Sequence, residues 1–371
     1  MRSIAFLYAS EGTGHRAAAE NLMEWHLDAS RENSAICLDV LEVLPFWLRS
    51  TVSVGYLLIA RHAPWIWGRF YWGSDRPSVQ ASVFDRIHSL LCSIYLPKIE
   101  EIVSSSGAEA VVFTHYFGAS IFAARNRLKI PVYYVNTDFI THRFQRSPLF
   151  SASFAASEAA VEQYRRDGIS NVFNTGIPVS KRYSSPISKI TARERLGLDP
   201  FKKTVLVTGG GIGAGPVIRV TKSLAAERQI HTLVICGNNM RLYKKLTSLY
   251  CGCDNVSIFS FVDNMPEFYA ASDLAVMKPG GLSLSEALSA KLPLLLMEPI
   301  PGQEQLNMDL LCAGNAARRL KNSADTAEEV LEMLENKREM EMINQGLAKF
   351  SKPRASEKIL NIISADVQQK I

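Results

Sequence analysis

The sequence predicts an α/β protein made of two Rossmann-like halves. Three observations carry this. A strand pattern, a glycine turn and a helical pattern open the chain between Ile4 and Arg31, and the same succession returns from Thr204 onward. Short apolar runs alternate with helical patterns along both halves, as a parallel sheet requires. A length of 371 residues exceeds one ordinary core.

Composition narrows the class. Hydrophobic residues make up 47% and charged residues 21%, which is ordinary for a folded chain. The net charge of +5 suits an anionic membrane surface and is too small to argue for nucleic acid. Cys37, Cys92, Cys236, Cys251, Cys253 and Cys312 are scattered, mostly in apolar runs. Cys251 and Cys253 lack a second pair to complete a zinc site. Reduced core thiols in a cytoplasmic protein are expected, and no signal-peptide pattern precedes the first strand.

Ile4–Ala9 is the first strand, followed by the turn Ser10-Glu-Gly-Thr-Gly-His15 and a helix to Arg31. Gly12, Gly14 and Ala17 fit G-x-G-x-x-A, and Asp39 follows the strand Ala35–Leu38. A dinucleotide enzyme is therefore an open reading of this half. His15 sits where the helix begins. A neutral imidazole there suits the removal of a proton from a hydroxyl. A histidine bonded to the helix-terminal backbone is the plainer alternative.

Residues 43–75 concentrate aromatic and basic side chains. Trp47, Trp65, Trp67 and Trp72 lie there with Phe46, Tyr56, Phe70 and Tyr71, and Arg49, Arg61 and Arg69 are interleaved. The uncharged run from Ser50 to Ala60 is far short of the ~20 residues of a spanning helix. The mixture suits the headgroup boundary of a bilayer. An irregular aromatic subdomain or a dimer contact is the alternative. A long helix from Val79 to Val103 follows, interrupted at Pro97.

The strand Ala110–Phe113 ends in Thr114-His115, and Val132–Val135 ends in Asn136-Thr-Asp-Phe139. Strand ends carry the polar residues, so His115 and Asp138 are expected at the same crevice as His15. Asp138 is a second candidate base, a partner that orients a histidine, or a helix cap. Residues 178–191, rich in serine and proline, are expected to be a linker and hinge.

The second half opens with the strand Thr204–Thr208 and the loop Gly209-Gly-Gly-Ile-Gly-Ala-Gly215. Its backbone can approach phosphates closely. The next strand ends in Cys236-Gly-Asn-Asn239 rather than an acid, which argues against NAD here. Leu274–Met277 is a buried strand, and Lys278-Pro-Gly-Gly281 is a turn. Ser283 or Ser285 is expected to cap a helix carrying Glu286. The strand Leu292–Met297 then exits into a loop holding Gln303, Glu304 and Asn307. A glycine turn opening a helix suits a diphosphate, Glu286 a ribose, and paired amides and carboxylates sugar hydroxyls. The stretch reads as a nucleotide-sugar site.

Lys278-Pro-Gly-Gly281 with Glu286, and Pro301-Gly-Gln-Glu304 with Asn307, resemble the donor site of GT-B glycosyltransferases. The resemblance is to the diacylglycerol glycosyltransferase group in particular, with the lipid I N-acetylglucosaminyltransferase as a more distant relative. It spans most of the chain. It implies a GT-B fold: two Rossmann-like domains facing a cleft, with a C-terminal helix crossing back to the N-domain. Residues 1–180 would bind acceptor and membrane through the aromatic insertion 43–75. Residues 181–350 would bind the UDP-sugar, and 351–371 would form the crossover helix.

The resemblance also implies roles. His15 matches the histidine of a Ser-x-Gly-x-Gly-His motif and would be the base, with Asp138 of the Thr-Asp-Phe match as the other candidate. Glu11 departs from the small residue usual in that motif. Gly211, Gly213, Gly280 and Gly281 would face the diphosphate, with Lys278 beside it. Phe261, Val262 and Met265 would hold the uracil. Glu286 would take the ribose, and Gln303, Glu304 and Asn307 the sugar. Gly14, His115, Trp47, Trp65, Trp67 and Trp72 would serve the acceptor and the membrane.

The expected reaction is inverting hexosyl transfer from a UDP-hexose to diacylglycerol, at the inner face of the cell membrane. It would need no cofactor and no metal. Another lipid acceptor, such as a peptidoglycan precursor or a sterol, is the nearest alternative. A UDP-sugar epimerase and a noncatalytic nucleotide-sugar-binding membrane protein follow.

Overall fold

A computed structural model describes residues 2–10, 13–45, 64–75 and 79–370. The chain divides into two compact units. The first comprises Met1–Ser180, Ile300–Gln303 and Arg354–Ile371, and the second Lys181–Pro299 and Glu304–Pro353.

In the first unit six strands form one parallel sheet. They are β1 (Ser3–Tyr8), β2 (Ser34–Asp39), β3 (Ala110–Phe113), β4 (Val132–Val135), β5 (Ala152–Ala155) and β6 (Val172–Asn174). Their order is β2-β1-β3-β4-β5-β6. Successive side chains point to opposite faces. Ala5, Leu7, Val111, Phe113 and Tyr134 therefore pack on one side, against Tyr95, Leu96, Ile99 and Val103. Ile4, Phe6, Val112, Tyr133 and Val135 pack on the other, against Ala19 and Leu22.

The helices of this unit are α1 (Thr13–Ala29), α2 (Pro64–Ser74), α3 (Val79–Ser105), α4 (Ala119–Arg125) and α5 (Glu158–Arg166). Helix α3 continues through Pro97, where the sequence predicts an interruption. Pro97 is exposed, so water can serve the backbone that proline leaves unbonded.

Beyond α5 come α6 (Lys189–Arg195), α7 (Val217–Ala225), α8 (Met240–Leu249), α9 (Met265–Ala271), α10 (Gly281–Ser289), α11 (Gln303–Ala313), α12 (Thr326–Glu335), α13 (Lys337–Phe350) and α14 (Ala355–Lys370). The last of these returns to the first sheet, as expected. Ile359, Leu360, Ile363 and Val367 of α14 join the cluster around Ile4 and Phe6. Each such burial is worth about 1.5–3 kcal/mol. The Tyr133 hydroxyl donates to Asp366 Oδ2 at 2.6 Å and fixes the register of the helix.

The second unit repeats the plan. Its strands are β7 (Lys203–Thr208), β8 (Ile230–Ile235), β9 (Val256–Phe259), β10 (Leu274–Met277), β11 (Leu294–Leu296) and β12 (Arg318–Arg319). All pair in parallel, in the order β12-β11-β10-β7-β8-β9.

Both sheets reverse their direction of growth next to their first strand. In the first unit the reversal lies between β1 and β3, and in the second between β7 and β10. The loops leaving those four strands diverge there and open a crevice at each sheet's carboxyl edge. The serine- and proline-rich stretch 178–191 is packed rather than loose. It forms a short 3-10 turn at Lys181–Ser184, buries Tyr183, and enters α6 under a Ser188 cap.

Candidate active site

At the first reversal, β1 leads through the glycine turn into α1 and places His15 on that helix's first turn. The strand beside it, β3, ends at Thr114. His15 Nδ1 lies 2.9 Å from the Thr114 carbonyl and 2.8 Å from Thr137 Oγ1. The Thr114 hydroxyl donates back to the His15 carbonyl at 2.9 Å. A carbonyl only accepts, so the Thr114 contact requires the proton on Nδ1. The Nε2 lone pair is then free to accept one. Burial lowers the imidazole pKa, outweighing the Thr114 bond that raises it, so the ring is neutral at neutral pH.

The His115 ring meets His15 edge-on at 4.5 Å. His115 is itself buried, and its Nδ1 accepts from the Phe117 amide at 3.2 Å. Asp138 is buried just beyond β4. The oxygens at His15 Nδ1 belong to Thr114 and Thr137. Gly14 lies in the first turn of α1, and Gly12 lies outside the described residues. Asp39 ends β2, and its Oδ1 accepts from the amides of Leu41 and Ser10 at 2.9 and 3.3 Å. That carboxylate is occupied by backbone, which weakens the dinucleotide reading of this half.

At the second reversal, β7 enters the glycine loop. Three glycines there are dictated by backbone contact. A Cβ on Gly209 would lie 2.1 Å from the Ala214 carbonyl oxygen, and one on Gly213 would lie 2.3 Å from that of Cys236. One on Gly237 would lie 2.5 Å from the Gly211 oxygen. Gly213 also has φ +58°, and its N–H donates to the Gly210 carbonyl at 2.9 Å. Gly213 therefore closes the loop and offers no N–H to a diphosphate.

The turn after β10 differs in detail from the sequence expectation. Gly280 is the N-cap of α10 and makes no side-chain cap bond, so Ser283 and Ser285 lie inside the helix and cap nothing. The Gly280 N–H donates to the Lys278 carbonyl at 2.9 Å. The N–H groups free of helical partners begin at Gly281. With the helix dipole they favour an anion.

Gln303, Glu304 and Asn307 stand on the first turns of α11, not in a loop. Lys278 Nζ and Glu304 Oε1 form a largely buried ion pair at 2.6 Å. Asn307, fully buried, donates from Nδ2 to the Pro279 carbonyl at 3.2 Å. Glu304 and Asn307 are spaced to share one helix face, and that face braces the β10–α10 turn. Gln303 Oε1 is buried and makes no hydrogen bond among the described residues.

Glu286 follows on α10, and burial pushes its carboxyl up to about 8. Tyr183 and Tyr269 stand beside it. Burial, and then the Glu286 charge, hold both phenols well above their ordinary range. Phe261 is exposed after β9, Val262 is partly covered, and Met265 begins α9 half-buried.

The aromatic segment is described only in part. Trp65 and Trp72 on α2 are 69% and 45% exposed. Trp47 and the side chain of Trp67 lie outside the described residues. Among the described residues no helix is long and apolar enough to cross a membrane, and no group of three His, Cys, Asp or Glu side chains can hold a metal. Cys251 and Cys253 are exposed, contrary to the expectation of core thiols.

Sequence reasoning missed Thr137 and Tyr183 as site residues. Thr137 stands at a strand end beside the reversal, which was a usable signal. Tyr183 was the lone aromatic among serines and prolines in a stretch taken for a linker.

Comparisons with known proteins agree with this layout. Residues 15–179 match the monogalactosyldiacylglycerol (MGDG) synthase family, and residues 204–359 match the glycosyltransferase family 28 C-terminal domain. A processive diacylglycerol beta-glucosyltransferase of Staphylococcus carnosus is 30% identical over 219 residues, which are 58% of this chain and 55% of that one. That alignment thus spans about half the relative's length. The protein of the same name from Staphylococcus aureus (strain Newman) is 25% identical over 378 residues, 100% of this chain and 89% of that one.

Among solved structures, Acinetobacter baumannii MurG superposes with TM-score 0.61 at 15% identity, covering 98% of this chain and all of that one. Phytolacca americana UGT2, complexed with UDP-2fluoro-glucose and pterostilbene, gives 0.63 at 12% identity, with 99% and 100% covered. These structural likenesses are of fold. Two parallel six-stranded Rossmann-like sheets, each with a crevice at its reversal, give the chain the GT-B fold. The first half of the chain is thus similar to MGDG synthase and the second to the family 28 C-terminal domain, and the two matches together span most of its length.

Proposed function

We propose that this protein transfers a hexose from a UDP-sugar to diacylglycerol with inversion, giving a β-glycosyldiacylglycerol at the membrane surface. The observation that carries the reading is His15: neutral, fixed with its proton on Nδ1, and free at Nε2, in the half that matches MGDG synthase. The names of the staphylococcal relatives support diacylglycerol as acceptor.

The acceptor hydroxyl passes its proton to His15 Nε2 as its oxygen attacks the anomeric carbon. UDP leaves with the bonding electron pair. The charge developing on its diphosphate is met by the free N–H groups that open α10. Lys278 contributes less than its charge suggests, because Glu304 already pairs with it. The nucleotide complex of the plant structural neighbour supports a UDP-linked donor.

Exposed Trp65 and Trp72 on α2, with exposed Ile94 on α3, support approach to a lipid surface. The net charge of +5 favours an anionic one. We place the protein peripherally on the inner face of the cell membrane. Replacing both Trp65 and Trp72 with alanine should weaken flotation with anionic liposomes; unaltered flotation would remove α2 from membrane binding.

The test of function is incubation with labelled UDP-glucose or UDP-galactose and liposomes containing diacylglycerol, followed by chromatography of the lipid extract. A labelled glycolipid is expected from one donor. Free hexose or an epimerised UDP-sugar as the main product would overturn the assignment.

A further inference from the structure

Tyr183 carries a feature that packing does not explain. It lies in the 3-10 turn Lys181–Ser184, which packs on α10, the helix of Glu286. Its ring is buried and sits 6.2 Å from that of Tyr269. Phenylalanine would serve that packing equally well. The hydroxyl is buried too, and it makes no hydrogen bond among the described residues. Leaving a buried hydroxyl unpaired costs about 1–3 kcal/mol. Such an oxygen calls for a partner that arrives in another state of the molecule.

The neighbouring phenol is not in this position. The Tyr269 hydroxyl donates to the Ser283 carbonyl at 3.3 Å. Two phenols therefore stand beside Glu286, one satisfied by the first turn of α10 and one unspent. Each responds to the charge on Glu286 more than to any other charged group. Glu286 itself is destabilised as an anion by burial, and no nearby cation offsets this. It needs a donor whenever it is ionised.

We propose that Tyr183 is a positioning residue for Glu286, its unspent hydroxyl donating to the carboxylate when a ribose-bearing ligand engages that carboxylate. This rests on the nucleotide-sugar reading of the second unit. Ligand binding thereby gives the unspent hydroxyl its partner. Ribose hydroxyls donate to one carboxylate oxygen, and Tyr183 supports the anion from the protein side. The stretch after the first unit thus acts as part of the nucleotide site.

The experiment is calorimetric titration of the whole protein with UDP and with 2′-deoxy-UDP, for wild type and Tyr183→Phe. The variant removes one oxygen and keeps the ring, so its melting temperature should not fall. Wild type should prefer UDP over 2′-deoxy-UDP. Tyr183→Phe should lose roughly tenfold in affinity for UDP, and much less for 2′-deoxy-UDP, so that the preference shrinks. Equal losses for the two ligands would mean a merely structural role, and no loss would mean no role; either result overturns the proposal. Failure of the wild type to bind UDP would overturn the nucleotide-sugar reading itself and the proposal with it.

Discussion

The two sheet reversals are alike in topology and opposite in construction. At the first, the working part is a side chain. His15 is held through one ring nitrogen by Thr114 and Thr137, and its other nitrogen is left available. At the second, the working part is backbone. Glycines at 209, 213 and 237 let main-chain segments touch, and the carboxylates and the lysine around them are spent on one another or hidden. A side chain can carry a proton. A ring of N–H groups holds an anion without competing for one. The division suits a reaction in which an acceptor hydroxyl is deprotonated and a diphosphate departs.

Breaking the first site should have the largest effect on turnover. His15→Gln keeps a polar side chain but loses the proposed base. Glycosyl transfer should fall by ~10²-fold or more, while UDP binding, which we assign to the other unit, should stay as in wild type. Near-normal transfer by a folded variant would remove His15 from the role of base.

Breaking the second site should appear first as lost stability. Lys278→Met removes the cation from a largely buried ion pair, and about 3–5 kcal/mol should be lost in denaturant unfolding. Adding Glu304→Leu should restore most of it. A single variant as stable as wild type would show that the pair is not buried in solution.

The smallest effect sharpens the contrast through pH. The Glu286 carboxyl is raised from 4.5 to about 8, so the folded state holds a proton that the unfolded state releases between those values. Its contribution to stability is therefore present below about pH 4.5 and is lost as pH rises through about 8. Glu286→Gln should flatten that part of the stability profile. An unaltered slope would mean that the carboxyl is hydrated. His15, lowered by burial, behaves oppositely: it disfavours the folded state in acid and is silent at neutral pH.

The fold was legible because periodicity and glycine turns report directly on parallel strands and helix openings. Both parallel sheets were readable from runs such as Ile4–Ala9, Thr204–Thr208 and Leu274–Met277, the return of α14 followed from the family resemblance, and the strand order came only with the structure. The candidate site was legible to the level of the residue but not of the atom. Sequence placed His15 at a helix start, and only the geometry identifies which nitrogen is free. It placed Gly213, Gly280 and Lys278 at a diphosphate without revealing that the Gly213 and Gly280 N–H groups and the Lys278 charge are already used. It put Gln303, Glu304 and Asn307 in a loop because Pro301-Gly302 resembles one, whereas the helix starts at once. Tyr183 was hidden because composition alone marks a serine- and proline-rich stretch as a linker. The boundary between the two units does fall there, between Ser180 and Lys181, but one ring of the stretch is buried in the second unit.

The central claim is a single displacement in which His15 takes the proton of a diacylglycerol hydroxyl. The anomeric configuration of the glycolipid, read by proton NMR after reaction with an α-linked UDP-hexose, tests it most directly. A β-linked glycosyldiacylglycerol is the predicted product. An α-linked product would contradict the displacement, and the absence of any lipid product would contradict the acceptor.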